Sequence, residues 1–188
     1  KGPLASNIKK YEKRENQFNF ASDCIKNIKN SGILIAEADT GLGKSFSYLI
    51  SALLSVKERK VIVSSSTHSL QEQLFNKDIP LISKVLNIKT KSTIVKGMNN
   101  YLCNHRLNKV IDNINEYLSE EEILEFLSLI VWSDITCSGD ISECNSFRIH
   151  NNEKIWNLVK YEIESCAINS NKCFYLKMIK ESKDSNIL

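Results

Sequence analysis

No apolar stretch in this 188-residue sequence is long enough to span a bilayer, and its start, Lys1-Gly2-Pro3-Leu4, lacks a signal-peptide layout. The expectation is a cytoplasmic protein with no membrane partner. Charge of one sign is also scarce, because 25 Lys and Arg against 22 Asp and Glu leave a net charge of only +3. Any nucleic-acid binding must therefore come from local basic patches and not from a global field. No internal repeat is present, and compositional bias amounts to scattered Asn and Lys. With 42% hydrophobic residues the chain can bury a substantial core, and its length suits one domain, or one domain with an insertion.

The most specific signal is the run from Ile33 to Ser45, where Ile33-Leu34-Ile35-Ala36-Glu37 precedes a small-residue turn ending in Gly43-Lys44-Ser45. This is the layout of a phosphate-binding loop. Gly41 and Gly43 lack a Cβ, so the backbone can turn tightly and aim N–H groups at phosphate oxygens. Lys44 adds a mobile charge for the β and γ phosphates, and the Ser45 hydroxyl suits Mg²⁺. Phe46 to Leu54 is helix-compatible, which would direct a helix N-terminus at the same phosphates. The first position of the usual G-x-x-x-x-G-K-[ST] pattern is Ala38 here, and Asp39 places a carboxylate beside the loop.

Around this loop the pattern alternates. A helix is predicted over 17–29, with Phe18, Ala21, Cys24, Ile25 and Ile28 on one face and Gly32 just past its end. Strands are predicted at 33–37, 61–63 and 93–95, with a Ser-rich break at 64–67 and helices from Leu70 and from Pro80. A βαβ unit of this kind favours a parallel sheet flanked by helices, so the expected fold class is α/β. Beyond residue 98 the sequence turns helix-rich and cysteine-bearing, as an inserted subdomain would. Within it, Ser119-Glu120-Glu121-Glu122 forms a capping-box pattern ahead of the apolar run Ile123 to Trp132.

Several segments, read in order, resemble the DinG and YoaA branch of the superfamily two DNA helicases, relatives of XPD. Gly2-Pro3-Leu4-Ala5 and Tyr11-Glu12-x-Arg14-x-x-Gln17 are similar to the family's leading segment, which implies adenine reading by Gln17 with support from Arg14. Glu37-Ala38-x-Thr40-Gly41-x-Gly43-Lys44-Ser45 is similar to its phosphate loop and adds Thr40 to the nucleotide-binding set. Val61 to Leu74, followed by Lys77-Asp78-Ile79-Pro80, resembles helicase motif Ia, whose hydroxyl donors suit the DNA backbone. Lys96-Gly97-Met98-Asn99-Asn100-Tyr101-Leu102-Cys103 resembles the family's Lys-Gly-Arg-x-Asn-Tyr-Leu-Cys, with Met98 in place of the arginine. Trp132-Ser133-x-x-Thr136-x-Ser138-Gly139-Asp140 and Cys173-Phe174-Tyr175 fit the same branch.

The resemblance implies a RecA-like first motor domain over 1–98, an iron–sulfur-type helical insert over 99–176 and a return toward the motor domain over 177–188. It further implies ATP, Mg²⁺ and single-stranded or forked DNA as ligands, with 5′-to-3′ unwinding in DNA repair or replication by a longer chain. Lys96, Arg106 and Lys109 are candidate strand contacts. Cys103, Cys166 and Cys173 match three cysteine positions that hold a four-iron cluster in the family, while the fourth has no match. Cys144 or Cys137 is a possible substitute, Cys24 reads as core, and the alternatives of a decayed site with free thiols or a zinc site stay open.

The motor acid pair is missing too, since no Asp-Glu-x-His occurs among the 188 residues. Lys44 is then the one catalytic candidate, and this stretch alone is expected not to unwind DNA. Two rival readings are a non-catalytic nucleotide- or DNA-binding remnant of a split or decayed helicase, and an unrelated P-loop kinase or ATPase.

Overall fold

A computed structural model of the chain describes residues 12, 14–39, 41–56, 59–163 and 172–188. It divides into two compact units, one running up to Ile94 and including Asp184–Leu188, the other Val95–Lys183. No described helix is long and apolar enough to cross a membrane.

In the first unit, α1 (Glu15–Lys29) and α2 (Lys44–Ser55) pack side by side. The contact is made by small residues. Ser47 and Ser51, one turn apart on α2, are buried, and their hydroxyls donate to the α1 carbonyls of Gln17 (3.4 Å) and Ala21 (3.0 Å). Each hydroxyl also returns to its own helix one turn back, so no buried donor is orphaned. Cys24 is buried, in keeping with its reading as core, whereas Phe18 points outward and is 64% exposed. α1 ends in a Schellman-type cap in which Gly32 N–H reaches Asn27 O at 2.9 Å, and Ser31 rather than Gly32 takes the left-handed conformation.

α3 (His68–Gln73) starts on Thr67, whose hydroxyl accepts from Leu70 N–H at 3.2 Å. It runs through a π-helical turn (Leu74–Asp78) into α4 (Ile79–Leu86). Leu49, Leu74, Ile79, Ile82 and Ile187 form the buried centre of this unit.

The expected parallel sheet is not formed. Among the described residues there is no strand, only isolated bridges, with Ile187 set in parallel fashion between Val61 and Ser92. The hydrogen bonds Val61 N–H to Asn186 O (2.8 Å), Leu188 N–H to Val61 O (2.9 Å) and Thr93 N–H to Ile187 O (3.0 Å) hold these three segments together. Residues 33–37 have no regular structure, and Ile33 and Ile35 are 89% and 94% exposed. A strand exists only through a neighbour that takes its N–H and C=O groups, and this run has none among the described residues. Its β-branched composition therefore gave the wrong reading, and the described fold is mainly helical.

The second unit is built from α5 (Asn104–Asp112), the single turn α6 (Ile114–Tyr117), α7 (Glu120–Ile135), α8 (Glu153–Val159) and α9 (Phe174–Lys183). The capping box read from sequence is present: Ser119 Oγ accepts from Glu122 N–H, and Glu122 Oε2 accepts from Ser119 N–H at 2.9 Å. Phe126, Leu129 and Trp132 of α7 pack into a core with Leu107, Val110, Ile155 and Trp156. A smaller cluster gathers Tyr101, Tyr161 and Met178.

Candidate functional site

The turn before α2 depends on its glycines. Gly41 and Gly43 have φ of 83° and 84°, a region costly for any residue with a Cβ. At Gly43 a Cβ would also lie 2.3 Å from Gln17 Nε2. Gly43 is the N-cap of α2 and offers no side-chain acceptor, so among the described residues the first amides of the helix have no side-chain capping partner. An anion is the natural complement of such a terminus.

Residues distant in sequence converge on this turn. Arg14 donates to Gly41 O at 2.5 Å and Gln17 Nε2 donates to Gly43 O at 3.3 Å. Lys44 Nζ curls back onto the carbonyls of Ala38 and, at 3.2 Å, Asp39. It has no carboxylate partner among the described residues. Its ammonium is held by the loop's own backbone, from which a phosphate can draw it. The half-buried Ser45 lies in the first turn of the same helix. Thr40 lies outside the described residues, as do Gly2 to Ala5 and Tyr11.

In the segment similar to motif Ia, sequence reasoning missed the π turn and the buried Asp78, which accepts from Gln73 Nε2 at 3.3 Å. Burial raises the Asp78 carboxyl above its ordinary range, against the lowering effect of Gln73 and Lys77. No pattern in the sequence announces a π turn.

The candidate strand contacts of the second unit are largely engaged elsewhere. Lys96 is buried, donating to the Asp140 carboxylate and to Ser142 Oγ (2.6 Å), so it is not a surface cation. Arg106 donates to the carbonyls of Leu158 (2.9 Å) and Asn157 (2.7 Å) near the C-terminus of α8 and pairs with Glu162. Lys109 is exposed and, with His105, Arg106 and Tyr117, lines an open cleft of about 390 Å³.

The cysteines separate into groups. Cys103 and Cys173 are half-buried against the same tyrosine cluster, where Tyr175 lies 4.7 Å from Tyr161 and 5.7 Å from Tyr101, centroid to centroid. Cys144 is buried in the other core, among Phe147 and Trp156, and its thiol lies 3.6 Å from Ser146 Oγ. Cys137 is exposed. No group of three or more His, Cys, Asp or Glu able to hold a metal occurs among the described residues. Cys166 lies outside them. Cys144 therefore sits in a different cluster from Cys103 and Cys173.

A family model described as "DEAD/DEAH box helicase" matches residues 19–137, more than half of the chain. The chain belongs to the DEAD/DEAH box helicase family. Among its curated relatives, the ATP-dependent DNA helicase YoaA of Haemophilus influenzae is 38% identical over 144 residues, covering 76% of this chain and 22% of the relative. YoaA of Escherichia coli is 32% identical over 191 residues, covering 100% of this chain and 29% of the relative. The protein named 3′-5′ exonuclease DinG of Bacillus subtilis is 29% identical over 157 residues, covering 82% and 16%. The chain thus spans less than a third of the length of these relatives.

Proposed function

We propose that this chain is the N-terminal, nucleotide-binding part of an ATP-dependent DNA helicase of the DinG and YoaA type, acting on single-stranded or forked DNA in repair or replication. The observation that carries the reading is the double-glycine turn with an α2 N-terminus that, among the described residues, has no side-chain cap and a lysine with no carboxylate partner. In this reading the α2 amides and Lys44 receive the β and γ phosphates of ATP, and Ser45 receives the Mg²⁺. Arg14 and Gln17 are both hydrogen-bonded to the loop, and reading of the base by Gln17 with support from Arg14 is carried over from the resemblance. Thr40 completes the set by resemblance alone.

An iron–sulfur group in the second unit would draw on Cys103, Cys166 and Cys173. The support is the shared cluster of Cys103 and Cys173 together with the family pattern, with Cys144, buried in the other cluster, or a non-protein group as the fourth ligand. When bound, such a group cross-links the segments that carry its thiolates. Iron content and the visible absorption of anaerobically purified protein test it, and colourless, iron-free protein after reconstitution ends it.

The nucleotide site is tested by calorimetry of Mg-ATP binding to the wild type and to Lys44→Ala, with fluorescence anisotropy of labelled single-stranded DNA alongside. Loss of ATP binding in a folded variant supports the reading. Unchanged affinity would overturn the site assignment.

A further inference from the structure

α7 is apolar on two sides, and only one of them is covered. Phe126, Leu129 and Trp132 face the core. On the opposite side Leu124, Leu127, Val131 and Ile135 are 71%, 46%, 65% and 73% exposed. At 3.6 residues per turn these four fall within an arc of about 80° and form a stripe about 16 Å long. Isolated exposed leucines need no explanation, but four aligned on one helix are a patch of the kind used for docking.

The acids around the stripe indicate what covers it. Glu120 and Glu121 stand at its N-terminal end and Asp134 at its C-terminal end, all exposed. Glu122 is neutralised by Lys154, whose Nζ lies 2.8 Å from Oε1, whereas Glu120, Glu121 and Asp134 have no ion-pair partner among the described residues. A second copy of the chain is a poor occupant. Pairing two α7 helices antiparallel sets Glu120 and Glu121 against Asp134, and pairing them parallel sets like against like, so both register choices oppose equal charges. An anionic lipid surface is repelled by the same acids.

We propose that the outward face of α7 docks an amphipathic helix of a partner protein whose apolar stripe is bounded by lysine or arginine at both ends. The apolar seam supplies the affinity and the end charges set orientation and choice of partner.

The test uses the full chain and two synthetic 18-residue helical peptides with the same leucine stripe, one lysine-ended and one glutamate-ended. The lysine-ended peptide is expected to bind about tenfold more tightly, a difference that shrinks with added salt. Leu124→Ser combined with Val131→Ser should abolish binding of both peptides, with far-ultraviolet circular dichroism unchanged because both positions are exposed. Glu120→Lys combined with Glu121→Lys should reduce or reverse the preference. Equal affinity for the two peptides, or full binding by the serine variant, would overturn the proposal. So would a concentration-dependent dimer in sedimentation that the serine pair removes, or stripe-dependent binding to phosphatidylcholine–phosphatidylglycerol vesicles.

Discussion

Lys44 and Lys96 are the same side chain in opposite situations. Lys44, at the double-glycine turn of the first unit, rests on two backbone carbonyls with no carboxylate partner among the described residues. Lys96, in the second unit, is buried with Asp140 and Ser142, and Asp140 Oδ1 accepts in turn from Ser142 N–H at 3.0 Å. The first ammonium is left electrostatically unanswered, so an anionic ligand adds to its interactions. The second is answered completely, so a ligand has nothing to gain from it and removal of its partner has much to lose. A lysine in a helicase-like motif is therefore not by itself a DNA contact.

The widest separation between the two lysines should appear on breaking the buried pair. Asp140→Ala leaves the Lys96 charge buried and unpaired, and should lower the unfolding free energy by about 3–5 kcal/mol in urea denaturation. Replacing both partners by apolar residues, Lys96→Met with Asp140→Leu, should cost less than the single change. A loss equal to that of Asp140→Ala would mean that the pair acts through packing alone.

Lys44→Ala sharpens the other side. Mg-ATP affinity should fall about 100-fold, or roughly 2.7 kcal/mol, while the urea midpoint moves little, because the lysine contacts only partly exposed loop carbonyls. A fall in stability as large as that of Asp140→Ala would erase the distinction between the two sites.

A pH titration separates the units again. Burial pushes the Tyr101 phenol up to about 12 from 10.0, helped by the nearby carboxylates of Asp140 and Glu143 and opposed by a backbone hydrogen bond with Lys96. The folded state therefore holds this proton more tightly than the unfolded state. Its stabilising contribution is complete below pH 10 and is lost as pH rises from about 10 toward 12. Tyr101→Phe should flatten that part of the stability–pH curve, measured at constant ionic strength.

The smallest change concerns the cap of α7. Ser119→Ala removes the acceptor for Glu122 N–H and should cost about 1 kcal/mol, within the usual range for N-cap serines. Glu122 keeps its Lys154 partner, and hydrogen bonding to Lys154 and Ser119 N–H holds its carboxyl below the usual range. That contribution is present at neutral pH and fades as acid protonates the carboxylate.

The legible parts of this protein were those set by local chemistry. The left-handed glycines of the turn, the helix that begins at Lys44 and the Ser119 to Glu122 box each depend on residues within a few positions of one another, and those residues name their own roles. The Ile33 to Glu37 segment was misread because β-branched composition reports a preference for extended backbone and says nothing about a pairing neighbour. Phe18 was assigned inward from helical spacing, yet the small serines of α2 meet α1 on a different part of its surface. Reading Lys96 as a surface strand contact failed for a related reason, since charge is visible in the sequence but burial and partners are not.

By itself, then, the sequence determined the double-glycine turn, its helix, the capped α7 and the family to which these motifs point. Only the tertiary structure decided which lysine is open to an anion, which cysteines share a neighbourhood and which face of α7 is left uncovered. Those properties come from contacts between residues such as Lys96 and Asp140 or Arg106 and Glu162, tens of positions apart, whose energies depend on desolvation and mutual geometry that no local pattern encodes.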